Sequence, residues 1–172
     1  VSVEGDIRYA KKDGVCVLKL TGDIRYTTGP AAVISRSLDT FFDRLFEAGD
    51  IQDVVVDMTE TTAIDSTNLG LLARLYTWMA ERGGRRPTLV STNPDVTRTL
   101  ESVGFDQVFT MVREPRATVE QLERLPLVEG SQREMLQLIL DAHRRLMDMS
   151  EDNAEMFAPA VALMDAELHR DR

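Results

Sequence analysis

The run Val54-Val55-Val56 constrains the fold most. Three successive β-branched residues leave no polar face, so the segment suits a strand buried on both sides. Such strands occur where helices cover a mostly parallel sheet. The flanking segments agree. Upstream, Pro30 suits the first turn of a helix. From there Ala31, Ile34, Leu38, Phe41, Phe42, Leu45 and Phe46 recur at helical spacing, and Gly49 closes the helix. Downstream, Leu69, Leu72, Leu75, Tyr76 and Met79 keep the same spacing up to Gly83-Gly84.

The remaining segments complete an alternating order. A first short strand ends at Ile7 or Tyr9, before the turn Lys12-Asp13-Gly14. Residues 15–20 make a second strand, so the pair reads as a hairpin that Gly22-Asp23 breaks. Thr88, Leu89 and Val90 form another strand. Asn93-Pro94-Asp95 opens a helix carrying Val96, Leu100 and Val103, which Gly104 stops. Val108-Phe109 is a last strand. The order β-β-α-β-α-β-α-β predicts an α/β domain over residues 1–112, with a mixed, mostly parallel sheet and helices packed on it.

Residues 113–172 follow a different pattern and predict a helical C-terminal extension. Pro115 and Pro126 bracket a short helix around Val119, Leu122 and Leu125. Ser131 suits the cap of a long helix. Met135, Leu138, Ile139, Ala142, Leu146 and Met149 form its apolar stripe. Met156, Phe157, Val161, Met164 and Leu168 mark a last helix that Pro159 must kink or restart. The stripe either folds back on the domain as core or faces a partner or a second copy, as in a homodimer.

Charge and composition exclude several functions. The 172 residues carry a net charge of −9. Without a basic patch, such a chain repels a nucleic-acid backbone. No run of 18 apolar residues exists to span a membrane, and the first six residues lack the basic and apolar regions of a secretory signal. Cys16 is the lone cysteine, so neither an internal disulfide nor a cysteine-cluster metal site can form. A cytoplasmic protein without metal or cofactor is the expectation.

The chemistry concentrates between Val54 and Leu72. A strand ends at Asp57-Met58, and a polar loop follows over residues 59–63. Ile64 returns to the core, and Asp65-Ser66-Thr67-Asn68 opens a helix. The first N–H groups of a helix lack intrahelical partners, and that end carries partial positive charge. A hydroxyl there, on Ser66 or Thr67, is a good place to keep a reversible phosphate. Asp, Ser and Thr before a helix are also ordinary N-caps.

The segment 64–72, IDSTNLGLL, behind the strand at 54–58 resembles the signature of the STAS domain. That is the family of anti-sigma factor antagonists, with its D-S-[S/T]-G-L-G motif. Leu20-Thr21-Gly22-Asp23-Ile24 is similar to another region of that family. The resemblance implies a STAS-like fold and a partner switch that is not an enzyme. A GHKL-type serine kinase, which doubles as the anti-sigma factor, phosphorylates the Ser after the motif Asp, and a PP2C-type phosphatase removes the phosphate. Carried over by motif, Ser66 is the acceptor and Thr67 the second candidate. Asp23, Asp65, Ser66, Thr67, Asn68 and Leu69 form the docking face. Asn68 stands where the family usually has Gly. The alternative is a structural STAS subunit of a larger signalling complex.

Other chemistries find less support. Asp57 as a receiver-type phosphoacceptor needs an acidic pair and a late-strand Lys, and no Lys follows Lys19. A Ser66 nucleophile in a hydrolase needs a base within reach. The only histidines, His143 and His169, lie in the helical tail, and His143 beside Arg144-Arg145 reads as solvated. Cys16 alternates with Val15 and Val17 and reads as a packed small side chain.

Overall fold

A computed structural model describes residues 5–25, 30–114 and 121–170. β1 (Asp6–Lys12) and β2 (Val15–Ile24) form the expected hairpin. Asp13 and Gly14 both take positive φ, 53° and 79°, which a two-residue hairpin turn demands. α1 (Pro30–Ala48) leads to β3 (Asp53–Ile64), then α2 (Ser66–Glu81) and β4 (Thr88–Val90). α3 (Pro94–Ser102) and a single 3-10 turn precede β5 (Thr110–Val112). Strand order is β5-β4-β3-β2-β1-β6. The β2–β3, β3–β4 and β4–β5 pairs are parallel, and both pairs made by β1 are antiparallel. The mixed, mostly parallel sheet follows the reading of the sequence.

Several details differ. β2 does not break at Gly22. It continues to Ile24, with Gly22 at φ 79° and shifts in its register against β3 on either side. A glycine tolerates that φ where other residues strain, so the strand bulges instead of ending. The polar segment 59–63 is strand, not loop. Thr61 is buried and its hydroxyl donates to the Leu20 carbonyl at 2.7 Å, which satisfies a polar side chain inside the sheet. β3 alternates: Val54, Val56 and Met58 are fully buried, whereas Val55 and Asp57 are only partly covered. One face of the sheet therefore carries the main core.

The C-terminal segment joins the same body. The short helix expected before Pro126 is absent where the structure describes it. Pro115 and Val119 lie outside the described residues. Leu122 and Leu125 flank a strand, β6 (Glu123–Arg124), which pairs with the open edge of β1. The Leu125 N–H donates to the Ile7 carbonyl, and the Tyr9 hydroxyl to Glu123. α4 (Gln132–Met147) starts at Ser131 with a capping box: the Ser131 side chain accepts from the Glu134 N–H, and the Glu134 carboxylate accepts from the Ser131 N–H. α5 (Glu151–His169) begins at the Ser150 cap and runs through Pro159 as one helix.

α4 lies on α2, and α5 lies on α4. Met135, Leu138 and Leu146 join the core cluster that also holds Leu18, Phe42 and Leu72. The tail stripe is thus core. Asn153 of α5 secures the arrangement by donating to the carbonyls of Val103 and Leu146.

The α2–α4 approach depends on Gly70. A methyl group added there would run into the Ala142 backbone, its carbonyl oxygen nearest. Arg145 donates to the Gly70 carbonyl at 2.9 Å, across the same contact. Close approach of two helix backbones requires a residue without Cβ at the crossing. Gly70→Ala is therefore expected to destabilise the fold by about 1–3 kcal/mol through overpacking. Urea unfolding measures this, and a midpoint equal to wild type contradicts the close contact.

Candidate functional site

The site is built where β3 hands over to α2. Asp65 is the N-cap, with φ −104° and ψ 172°, and its carboxylate accepts from the Asn68 N–H at 3.0 Å. This satisfies one of the donors that a helix start leaves open. The Asp65 N–H donates to the Ile24 carbonyl at the end of β2. Asp65 is thereby committed to the joint.

Asn68 explains its own departure from glycine. It does not use left-handed backbone, because among the described residues only Asp13 and Gln121 are non-glycine with positive φ. Its amide donates to the Ile24 carbonyl at 3.2 Å and to Asp65 Oδ1 at 2.9 Å, and its side-chain oxygen accepts from the Ser35 hydroxyl at 3.0 Å. One buried side chain ties β2, the cap and α1, with both amide hydrogens and the oxygen in use. Asn68 and Leu69, expected at a docking surface, are 1% and 2% exposed. Their side chains pack inward because they lie on the core face of α2. Thr67 is also buried, at 5%.

Ser66 remains as the partly exposed hydroxyl at the first helical position. Its Oγ lies 2.7 Å from His143 Nε2 on α4. His143 is not solvated as its basic neighbours suggested; it is 7% exposed. Position 143 follows Ile139 by one turn and faces α2 beside Ala142 and Leu146, so packing against α2 overrides the charged neighbourhood. The His143 Nδ1 lies 2.7 Å from the Ile139 carbonyl, and the Phe157 ring stands nearly perpendicular to the imidazole, 5.5 Å between centroids. A carbonyl can only accept, so Nδ1 carries the hydrogen. In the neutral ring Nε2 then offers its lone pair, and the Ser66 hydroxyl donates to it. The partner of the Ser66 hydroxyl thus comes from 77 positions away in the chain.

Asp23 reaches this end of the sheet through strand register. It pairs with Ala63, and Ile24 pairs with Ile64. Arg25 holds the Asp23 carboxylate at 2.7 and 2.5 Å. The Arg25 hydrogen bonds keep the Asp23 carboxyl below the usual carboxylate range.

Other candidates resolve simply. Asp57 Oδ1 accepts from the Thr59 N–H and hydroxyl at 2.9 and 2.7 Å, a strand-end carboxylate bonded to its neighbour. His169 is exposed, with Nδ1 2.7 Å from the Asp165 carbonyl of its own helix. No group of three or more His, Cys, Asp or Glu side chains that could hold a metal occurs among the described residues. No helix among them is long and apolar enough to cross a membrane.

Comparison with known proteins identifies the family and the fold. The STAS domain family model matches residues 6–122, and the chain belongs to that family. An anti-sigma factor antagonist from Mycobacterium paratuberculosis superposes with a TM-score of 0.50 at 19% identity, over 64% of this chain and 87% of its own. The anti-sigma factor antagonist SpoIIAA in its unphosphorylated form gives 0.50 at 14% identity, over 63% of this chain and 89% of its own. A search of the curated proteins finds no match. α4 and α5 lie beyond the residues that the family model matches.

Two outcomes follow from the site and its surroundings. Asn68→Ala strips partners from the Ser35 hydroxyl and the cap, and should cost about 1–3 kcal/mol in chemical denaturation. An unchanged stability would refute the inward role of Asn68. Burial pushes the Cys16 thiol from its ordinary value of 9.0 up to about 11. Above pH 9 the unfolded thiol ionises while the folded one does not, so this contribution is full below pH 9 and is lost as pH rises towards 11. Cys16→Ala should show a shallower alkaline loss of stability over that window than wild type.

Proposed function

We propose that this STAS protein is an anti-sigma factor antagonist whose partner is selected by phosphate on Ser66. The observation that carries the reading is the position of Ser66. It is partly exposed at the first position of α2, while Thr67, the other candidate hydroxyl, is buried. The adjacent Asp65 is used as the cap and does not compete for the hydroxyl's role.

The chain is then the substrate of enzymes. A GHKL-type serine kinase, which is also the anti-sigma factor, adds the phosphate, and a PP2C-type phosphatase removes it. The unphosphorylated protein binds the anti-sigma factor through Asp23, Asp65 and Ser66, over the buried support of Thr67, Asn68 and Leu69. A phosphate adds nearly two negative charges to a chain that already carries −9. The favourable environment is local, at the positive end of α2. A partner surface that fits the bare hydroxyl and the neighbouring carboxylates is repelled or desolvated unfavourably by the phosphate.

Intact-mass measurement after incubation with ATP and the cognate kinase tests the acceptor. Wild type should gain one phosphate and Ser66→Ala none; gain by Ser66→Ala at the wild-type level overturns the assignment. Pull-down with Ser66→Ala and with the enzymatically phosphorylated protein tests the switch. The two forms should retain different partners, and identical partner sets remove the reason for calling it one.

A further inference from the structure

We propose that the C-terminal helices complete the modification site in cis, with His143 as the proton acceptor for Ser66. This rests on the reading of Ser66 as the acceptor hydroxyl. The STAS fold supplies the hydroxyl at the start of α2, and α4 supplies the base from outside the matched residues.

The geometry is that of a nucleophile and its base. The Oγ–Nε2 separation is 2.7 Å, within the reach that general-base catalysis requires. The ring is oriented from its other side, where Nδ1–H donates to the Ile139 carbonyl. A backbone carbonyl here fixes the tautomer, as a carboxylate does in a serine–histidine–aspartate triad. The Phe157 ring packs against the imidazole nearly at right angles. The Gly70–Ala142 contact and the Arg145 hydrogen bond to the Gly70 carbonyl set the height of α4 over α2. Arg145 is itself mostly buried, and burial draws its guanidinium below the ordinary value, the Arg74 charge adding to the effect. His143 is thus held by packing, while Ser66 keeps part of its surface open.

The step balances without further reagents beyond a phosphoryl donor, a nucleoside triphosphate on the kinase. Ser66 Oγ attacks the terminal phosphorus and an O–P bond forms. The bond from that phosphorus to the bridging oxygen breaks, and the nucleoside diphosphate leaves with the electron pair. The hydroxyl proton passes to His143 Nε2. The resulting imidazolium then lies beside the new phosphate as its counter-charge, so the same residue that eases the transfer also stabilises its product.

A fluorophosphonate tests the pair without any kinase. Ser66 Oγ attacks its phosphorus, fluoride leaves, and the proton goes to His143. Peptide mass mapping of the full chain should find Ser66 labelled on the order of a hundredfold faster than the exposed Ser102. Ser66→Ala should lose that label. His143→Ala should slow it by a similar factor, and imidazole added to the solution should restore much of the rate. A purely structural histidine would not be replaced in this way. Circular dichroism and the urea midpoint of His143→Ala establish that it folds, and the wild-type Ser66 to Ser102 ratio stands independently of the variant. Equal rates for wild type and folded His143→Ala, no rescue by imidazole, or a Ser66 rate no higher than that of Ser102 each overturn the proposal. Rapid His143-dependent labelling with no phosphate gained from the cognate kinase would instead overturn the acceptor reading and leave the pair standing.

Discussion

Two donors converge on one carbonyl, and the rest of the site hangs from it. The Asp65 N–H and the Asn68 amide both donate to the Ile24 oxygen at the end of β2. That carbonyl is the last acceptor of a parallel ladder, where a strand end would otherwise meet water. The joint fixes the direction in which α2 leaves the sheet. It also fixes which face of the first turn looks out. Ser66 stays partly exposed, with its hydroxyl toward α4, because Thr67, Asn68 and Leu69 are turned in, and Asn68 cannot rotate without losing three hydrogen bonds. Buried polar groups of this kind are costly when only partly satisfied, which makes the arrangement specific as well as stable.

Much of this was legible from residue pattern. The β-branched run, the helical spacing of Leu69, Leu72, Leu75 and Met79, and the capping residues Asp65, Asn93 and Ser131 located the elements, because each rests on local physics. The strand ends were harder. Polar residues at 59–63 look like a loop, yet parallel pairing with β2 keeps them extended. A register bulge at Gly22 has the same local spelling as a strand break. The short β6 carries charged residues, Glu123 and Arg124, and exists because the edge of β1 offers it a partner. Alternation signals fail where the neighbour, not the segment, decides the conformation.

The histidine shows the limit most clearly. Its sequence neighbours, Arg144 and Arg145, point to solvent. Its helical neighbours, Ile139 one turn before and Leu146 one turn after, point to the core. The second reading was available from spacing alone, but the target of that face was not. Which helix α4 meets depends on Gly70, and a glycine within an apolar helix reads only as a weak point until its neighbour is known. The covering helix and its notch are 72 positions apart for the Ala142–Gly70 contact, and nothing local links them.

The edge strand β6 gives the cover a further property. Pinned to β1, it leaves only residues 125–131 between a fixed point on the sheet and the start of α4. Fully stretched, that connection spans at most about 25 Å. α4 is therefore a ligand on a short leash, and its local concentration near α2 is on the order of millimolar even when it is detached. Any outside molecule that binds the covered face of α2 competes with that concentration in addition to the contacts themselves. Its apparent affinity is a difference between two binding events, so lengthening or cutting the leash would raise it with no contact changed.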